Sequence, residues 1–166
     1  MQISLTKGRH DDRVVMRRAD GTEAVAVVPH KGPVPHDAVH YFVEQGLGFS
    51  RGFWGMIAAG IHPDELVELA KAGGHASATR AQVPDAAIVE LLQAERLVEC
   101  FEADLWSGTG SDDSLLAMAG VACAASLVPV PRCAPGAIAA VRDAIAVFAC
   151  EWMDADEGYV ARLDWP

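Results

Sequence analysis

Apolar and polar residues alternate at both ends of the chain, with the period of two that is typical of half-buried β-strands. Near the start, three segments show this period: 3–5, 14–18 and 22–28. Asp20-Gly21 separates the second segment from the third, and this dipeptide favours a hairpin because both residues tolerate positive φ. The same period returns at 159–165. Because a lone terminal strand needs partners for its backbone, we expect it to join the N-terminal hairpin in one small antiparallel sheet.

Between the two ends, apolar residues recur every three or four positions, which predicts helices that pack against one another. Four of these segments begin at a proline: Pro35, Pro63, Pro84 and Pro135. Proline suits a helix start because its missing N–H would be unpaired there. Ser111, before Asp112, is typical of an N-cap. We therefore predict about five helices, the longest over about 84–106, a loop over 73–82, and a single α+β domain over residues 1–166.

The segment 50–60 contains small residues at spacings of three and four: Gly52, Gly55 and Ala59. Small residues on one helix face let a second backbone approach closely. We interpret this stripe as tight packing inside the chain, and a subunit interface is the alternative interpretation.

Composition and charge exclude several classes of protein. Hydrophobic residues make up 51% of the 166, which is enough for a core. The formal net charge of −10 disfavours nucleic acid as a partner, because its phosphates would be repelled. The uncharged stretch 114–131 is rich in Ala and Ser rather than in Leu and Ile, so it predicts a buried helix and no membrane segment. No secretory signal is recognisable. The four cysteines lack a Cys-x-x-Cys pair and are typical of reduced thiols in the cytoplasm.

The segment 36–44 is the candidate for chemistry. On a helix, four of its polar side chains share an arc of about 100°: His36, Asp37, His40 and Glu44. Two histidines one turn apart bind one metal ion, and a carboxylate one turn further completes a three-ligand site with an open position. In this interpretation a divalent metal ion is bound by His36, His40 and Glu44. The catalytic groups are Glu44, as ligand or general base, and Asp37, which supports the ligands.

A purely structural interpretation covers the same residues. Asp37 lies where a carboxylate accepts hydrogen bonds from the free backbone N–H groups of a helix start. His40 and Glu44 form an i,i+4 pair, and its stabilisation of the helix is enough to explain both residues. Three acidic residues also share a face of the long helix with few basic neighbours, and we interpret them as a solvated acidic face: Glu95, Glu99 and Glu102.

Two neighbouring stretches of the chain together resemble a signature of small bacterial proteins for which no activity is known. The first stretch is Pro35-His36-Asp37-x-x-His40-x-x-Val43-Glu44. The second is Gly52-Phe53-Trp54-Gly55-x-Ile57-Ala58-x-Gly60. The resemblance covers about residues 34–60. It implies a bacterial, cytoplasmic protein of a compact α+β kind, and it transfers no catalytic role to any residue.

These observations lead to two expectations about function. The first is a cytoplasmic binding or interaction protein that acts as a homo-oligomer, in the simplest case a homodimer, because packing signals outnumber chemical ones. The second is a metal-dependent hydrolase that uses the helix face of His36, Asp37, His40 and Glu44. A membrane or a nucleic acid is expected as a partner in neither case.

Overall fold

The computed structural model describes residues 1–72, 83–108 and 110–166, so the loop predicted over 73–82 lies outside the described residues. Within them, one antiparallel sheet has the strand order β3-β2-β1-β4. Its strands are β1 (Gln2–Thr6), β2 (Asp11–Arg17), β3 (Glu23–Pro29) and β4 (Val160–Asp164). β4 pairs with β1, with Ile3 opposite Leu163. The predicted α+β class is therefore confirmed, and so is the union of the N-terminal hairpin with the C-terminal strand.

The described helices all lie between β3 and β4 in the chain. They are α1 (His36–Leu47), α2 (Phe53–Ala58), α3 (Pro63–Ala72), α4 (Val89–Ser107), α5 (Asp112–Ala125) and α6 (Ala137–Asp154). α1 packs against both α4 and α6, and α5 packs against α4. The buried side chains of β1 and β2 join these helices in one core, as Ile3, Leu5, Val14 and Met16 show. The helix that carries the candidate site, α1, therefore packs against two other helices.

The predicted helix starts hold to different degrees. α3 begins at Pro63, whereas α1 and α6 begin just after Pro35 and Pro135. α4 begins later than predicted, because a short 3-10 turn over Ala86–Ile88 follows Pro84 before the α-helix starts. α2 is shorter than the segment predicted from the small residues and the aromatic residues around them.

α5 begins as the sequence predicts. The Ser111 hydroxyl accepts a hydrogen bond from the backbone N–H of Ser114, at 3.1 Å, which satisfies one of the open donors of the helix start. Leu115, Ala119 and Cys123 lie on the buried face of this helix. Among the residues that the structure describes, no helix has the length and apolar character needed to cross a membrane.

The small residues before and within α2 are used inside the chain. A Cβ on Gly52 would overlap the carboxylate of Glu44, and a Cβ on Gly55 would overlap the backbone of Ser50. Close packing within one chain therefore accounts for both glycines. The homo-oligomer stays a prediction, and these two residues no longer argue for it.

Candidate metal centre

A polar cluster lies inside the fold where α1 packs against α4. α1 contributes His36, His40 and Glu44, each one turn apart, and α4 contributes Glu95 and Glu102, two turns apart. We call these five residues the histidine cluster. Residues separated by whole turns point in the same direction from a helix, so the two sets of side chains meet across the interface. The side chains of His40 and Glu95 are 1% and 11% exposed, which withdraws the centre of the cluster from water.

Both imidazole rings are oriented by a carboxylate on the same ring nitrogen. Nδ1 of His40 lies 2.9 Å from Oε1 of Glu44, and Nδ1 of His36 lies 2.9 Å from Oε1 of Glu102. A hydrogen bond at this position fixes the direction of the ring and makes Nε2 the nitrogen that faces away from the carboxylate. The two rings therefore present the same atom to the inside of the cluster.

The two Nε2 atoms face one carboxylate, that of Glu95. Its Oε2 lies 3.5 Å from Nε2 of His40 and 3.7 Å from Nε2 of His36. The ligand atoms of these three residues all lie within 4.8 Å of one another. An ion with tetrahedral ligands at about 2.0–2.2 Å holds neighbouring ligand atoms about 3.3–3.6 Å apart. The distances from Glu95 to the two rings are therefore close to the spacing that a bound ion requires.

Glu44, predicted as a metal ligand or general base, binds the opposite nitrogen of the His40 ring. Its two carboxylate oxygens also accept hydrogen bonds from the backbone N–H groups of Phe53 and Trp54, at 2.9 and 3.0 Å. These donors belong to the first turn of α2, where the partial positive charge of a helix start stabilises a carboxylate. Gly52 leaves the space that this carboxylate fills. The structure thus places Glu44 between His40 and α2, and it places Glu95 where the third ligand was expected.

Asp37, predicted as a supporting catalytic group, lies beside the cluster. Its backbone carbonyl accepts a hydrogen bond from Nε1 of Trp54, at 2.9 Å. Within the described part of the chain, its carboxyl forms no hydrogen bond, so its interpretation as a cap of α1 finds no support. The carboxyl lines a cavity of about 40 Å³ together with His36. Burial raises the pKa of Asp37, although the nearby His40 and His36 act to lower it.

The histidines of the cluster hold their protons tightly in the metal-free protein. Burial alone would lower the pKa of His40, but the charge of Glu95 and the hydrogen bond to Glu44 outweigh it and raise the pKa to about 10. The pKa of His36 is also raised: burial lowers it, and the hydrogen bonds to Glu102 and Glu95 outweigh burial and raise it. His40 is therefore an imidazolium ion at neutral pH, and the three carboxylates of the cluster favour the protonated form of both rings.

The acidic face predicted for α4 is wrong for two of its three residues. Glu99 fits the prediction, since its side chain is 42% exposed and pairs with Arg96. Glu95 is instead buried, and Glu102 binds His36. The sequence contained a signal for this outcome. Glu95 and Glu102 lie on the same face of α4 as two apolar residues at helical spacing, Leu91 and Val98, and both of these are buried.

The segments 35–44 and 52–60 meet at this site. The first segment contributes His36, His40 and Glu44, the glutamate that orients His40. The second segment contributes Gly52, which makes room for Glu44, and Phe53, whose ring lies 5.4 Å from that of His40. Trp54 holds Glu44 through its backbone N–H and α1 through its indole. One buried site therefore gives a physical reason for both segments.

Comparisons were made with protein-family models, with curated proteins and with solved structures. None of the three found a match to this chain.

Proposed function

We propose that the protein is a metal-dependent enzyme that binds one divalent transition-metal ion between His36, His40 and Glu95. The observation that supports this most strongly is the common orientation of the two rings. Each ring turns Nδ1 to a carboxylate and Nε2 toward Glu95. Metal-binding histidines almost always make such a bond with their second nitrogen, because it fixes the ring and increases its basicity.

The charges of the histidine cluster favour an exchange of protons for a metal ion. The pKa values of His40 and His36 are both raised, so the three carboxylates of the cluster favour positive charge on the rings. A divalent ion bound to two neutral rings also places positive charge among these carboxylates. Because an uncompensated buried charge costs several kcal/mol, on the order of 3–5, replacing protons by such an ion avoids this cost.

The ligand types indicate which ions fit. Two imidazole nitrogens with one carboxylate suit Zn²⁺, Fe²⁺, Co²⁺ and Mn²⁺, whereas Ca²⁺ and Mg²⁺ favour sites made of oxygen ligands alone. Three protein ligands also leave one position open, as in catalytic rather than structural sites.

An open position beside a cavity supports the hydrolase class for this enzyme. An ion of this kind lowers the pKa of a bound water and so supplies a nucleophile for hydrolysis. The chain contributes Asp37, whose carboxyl lines the adjoining cavity and has a raised pKa, which suits a group that accepts and returns a proton. The proposed function is therefore the expected metal-dependent hydrolase, with Glu95 in place of Glu44 as the third metal ligand.

Metal titration of the metal-free protein tests the proposal. We expect one Zn²⁺ or Co²⁺ per chain, measured by elemental analysis after dialysis and by isothermal titration calorimetry. His40→Gln and Glu95→Gln should each weaken binding by more than about 100-fold, since even the hydrogen-bond partners of metal ligands contribute about 10–100-fold.

Two matched controls keep the same residue types outside the cluster. His62 lies on the surface with a side chain 54% exposed, and Glu99 lies one turn from Glu95 on α4. His62→Gln and Glu99→Gln should bind metal like the unchanged protein. The proposal fails if the unchanged protein binds none of the four transition-metal ions, or if the controls lose as much affinity as the two cluster variants.

The remaining expectations stay proposals. A cytoplasmic location is supported by the spacing of the cysteines, which are free thiols in the structure. A homo-oligomeric state is checked by light scattering at several protein concentrations, and a metal-dependent enzyme is compatible with either a monomer or a homo-oligomer.

A further inference from the structure

The cavity beside the histidine cluster lies between two segments of backbone. One wall is the segment 28–32 that leaves β3, and the other wall is the start of α1. Its charged and titratable lining residues are Asp12, His30, Lys31, His36 and Asp37. Of these, His36 is a ligand of the proposed metal site. The cavity therefore adjoins one of the three ligands of that site.

The pair of His30 and Asp12 is held in place on the outer wall. Asp12 is 4% exposed, and its Oδ1 accepts hydrogen bonds from the backbone N–H of Gly8 and from Nε2 of His30, at 3.1 and 2.8 Å. The His30 side chain is 33% exposed and so reaches from the buried carboxylate to the surface. Asp12, His30 and Gly32 also line a second, larger groove of about 250 Å³ on the outside of the fold. The groove and the cavity therefore lie on either side of the same three residues.

Asp37 lines the cavity next to His36. Its carboxyl interacts electrostatically with Lys31, which also lines the cavity, and with His36, His40 and Glu95 in the cluster. It is therefore close both to the cavity and to the proposed metal ligands.

The size of the cavity sets a condition on what passes through it. A volume of about 40 Å³ holds about three water molecules, at about 10–15 Å³ for each. A hydrated divalent ion carries a full shell of about six. The ion must therefore exchange some of its waters for protein ligands on the way. Carboxylate oxygens and imidazole nitrogens are the groups that replace them in proteins.

We propose that this cavity is the access route by which a divalent metal ion reaches His36, and that Asp37 and the His30–Asp12 pair receive the ion on the way. The inference rests on the proposed metal site. Lys31 opposes the passage, because its positively charged side chain lines the cavity. Within the described residues, the only group spaced to hold an ion is His36, His40 and Glu95, so the ligands of the route act one after another rather than as a second site.

The rate of metal binding tests the route, with Co²⁺ as the probe because its absorption reports ligation. Stopped-flow mixing of metal-free protein with Co²⁺ gives the association rate, and a chelator chase gives the dissociation rate. His30→Gln should slow both rates by about three- to tenfold, and Lys31→Glu should accelerate both, more strongly at low ionic strength. The equilibrium dissociation constant should change by less than about twofold in each, since a route affects passage in both directions equally.

Asp37→Asn provides the third variant. It should slow association at least as much as His30→Gln, because an amide replaces the bound waters of a metal ion less well than a carboxyl group does. Asp11→Asn is the matched control: Asp11 is the exposed neighbour of Asp12 on β2 and does not line the cavity. Its association rate should equal that of the unchanged protein.

The outcomes separate the two proposals. If the unchanged protein shows no Co²⁺ absorption change, the metal site itself is refuted. If it binds Co²⁺ but His30→Gln and Lys31→Glu leave its association rate unchanged, the site stands and the route is refuted. A change in equilibrium affinity with an unchanged association rate also overturns the route. His30 and Lys31 are exposed, so circular dichroism should show both variants folded.

Discussion

Two polar clusters join helices in this protein, and they differ in the kind of charge that they use. One is the histidine cluster between α1 and α4. The other, which we call the Arg142 clasp, consists of Arg142 on α6, Asp104 on α4 and Asp112 on α5. Nε of Arg142 lies 2.7 Å from Asp104, and Nη1 lies 2.8 Å from Asp112. Asp104 also accepts a hydrogen bond from the backbone N–H of Gly110, at 3.0 Å.

The difference between the two clusters separates a structural role from an exchangeable one. The guanidinium of Arg142 stays protonated at every pH at which proteins fold, and its planar donors match carboxylates directly. No other cation can replace the guanidinium without breaking the ion pairs of the clasp. The histidine cluster holds its positive charge on imidazole rings, whose nitrogens can bind either a proton or a metal ion. It is therefore the cluster in which one cation can replace another.

The largest expected effect comes from breaking the Arg142 clasp. Asp104→Ala should lower the free energy of unfolding by about 3–5 kcal/mol, because it removes the buried partner of Arg142 and leaves only the partly exposed Asp112. Urea unfolding measures this loss. The number of metal ions bound per chain should remain that of the unchanged protein. Glu23→Ala is the control, since it breaks an exposed pair with Arg17 and should cost less than about 1 kcal/mol. A clasp variant that loses metal would show that the two clusters are not independent.

The pH dependence of stability should come from the histidine cluster rather than from the clasp. The pKa of His40 is about 10 in the folded protein and 6.5 in the unfolded chain. Its contribution is therefore complete below about pH 6.5 and is lost as the pH rises toward 10. Metal-free protein should lose more than about 1.4 kcal/mol over this range, the equivalent of one pKa unit. Urea unfolding at several pH values measures it, and His40→Gln should flatten the curve. An equally steep curve in that variant would assign the dependence to other groups.

A smaller effect tests the link between Glu44 and His40. Gly52→Ala places a methyl group on the Glu44 carboxylate, which should cost about 1–3 kcal/mol of stability. It should also weaken metal binding by about tenfold, because the partner of a ligating histidine is displaced. Gly120→Ala is the control, since nothing lies within 4 Å of its added Cβ on α5, and there the change should be neutral or stabilising. Equal metal affinity in the two variants would remove Glu44 from the account.

Most of the fold could be predicted from local patterns. The Asp20-Gly21 hairpin, the strand near the C-terminus and the cap at Ser111 each depend on residues close in sequence. The start of α4 could not be placed, because the turn after Pro84 and the helix that follows share one apolar period. Helix boundaries depend on hydrogen bonds that such a period does not specify.

The part of the candidate site that lies on α1 could be predicted, and the part that lies on α4 could not. His36, His40 and Glu44 lie one turn apart, so one helix was enough to bring them together. Glu95 and Glu102 reach the same place from a helix more than fifty residues further along the chain, and only the packing of α1 against α4 decides that. The role of Glu44 changed for the same reason, since its partner α2 folds back onto it.

X-ray absorption spectroscopy at the zinc edge of the loaded protein tests the assigned ligands most directly. We expect two imidazole nitrogens at about 2.0–2.1 Å from the zinc ion and a carboxylate oxygen at about 2.0–2.2 Å from it. The carboxylate oxygen should be lost in Glu95→Gln. Sulfur ligands at about 2.3 Å, or a spectrum that Glu95→Gln leaves unchanged, would contradict the assignment.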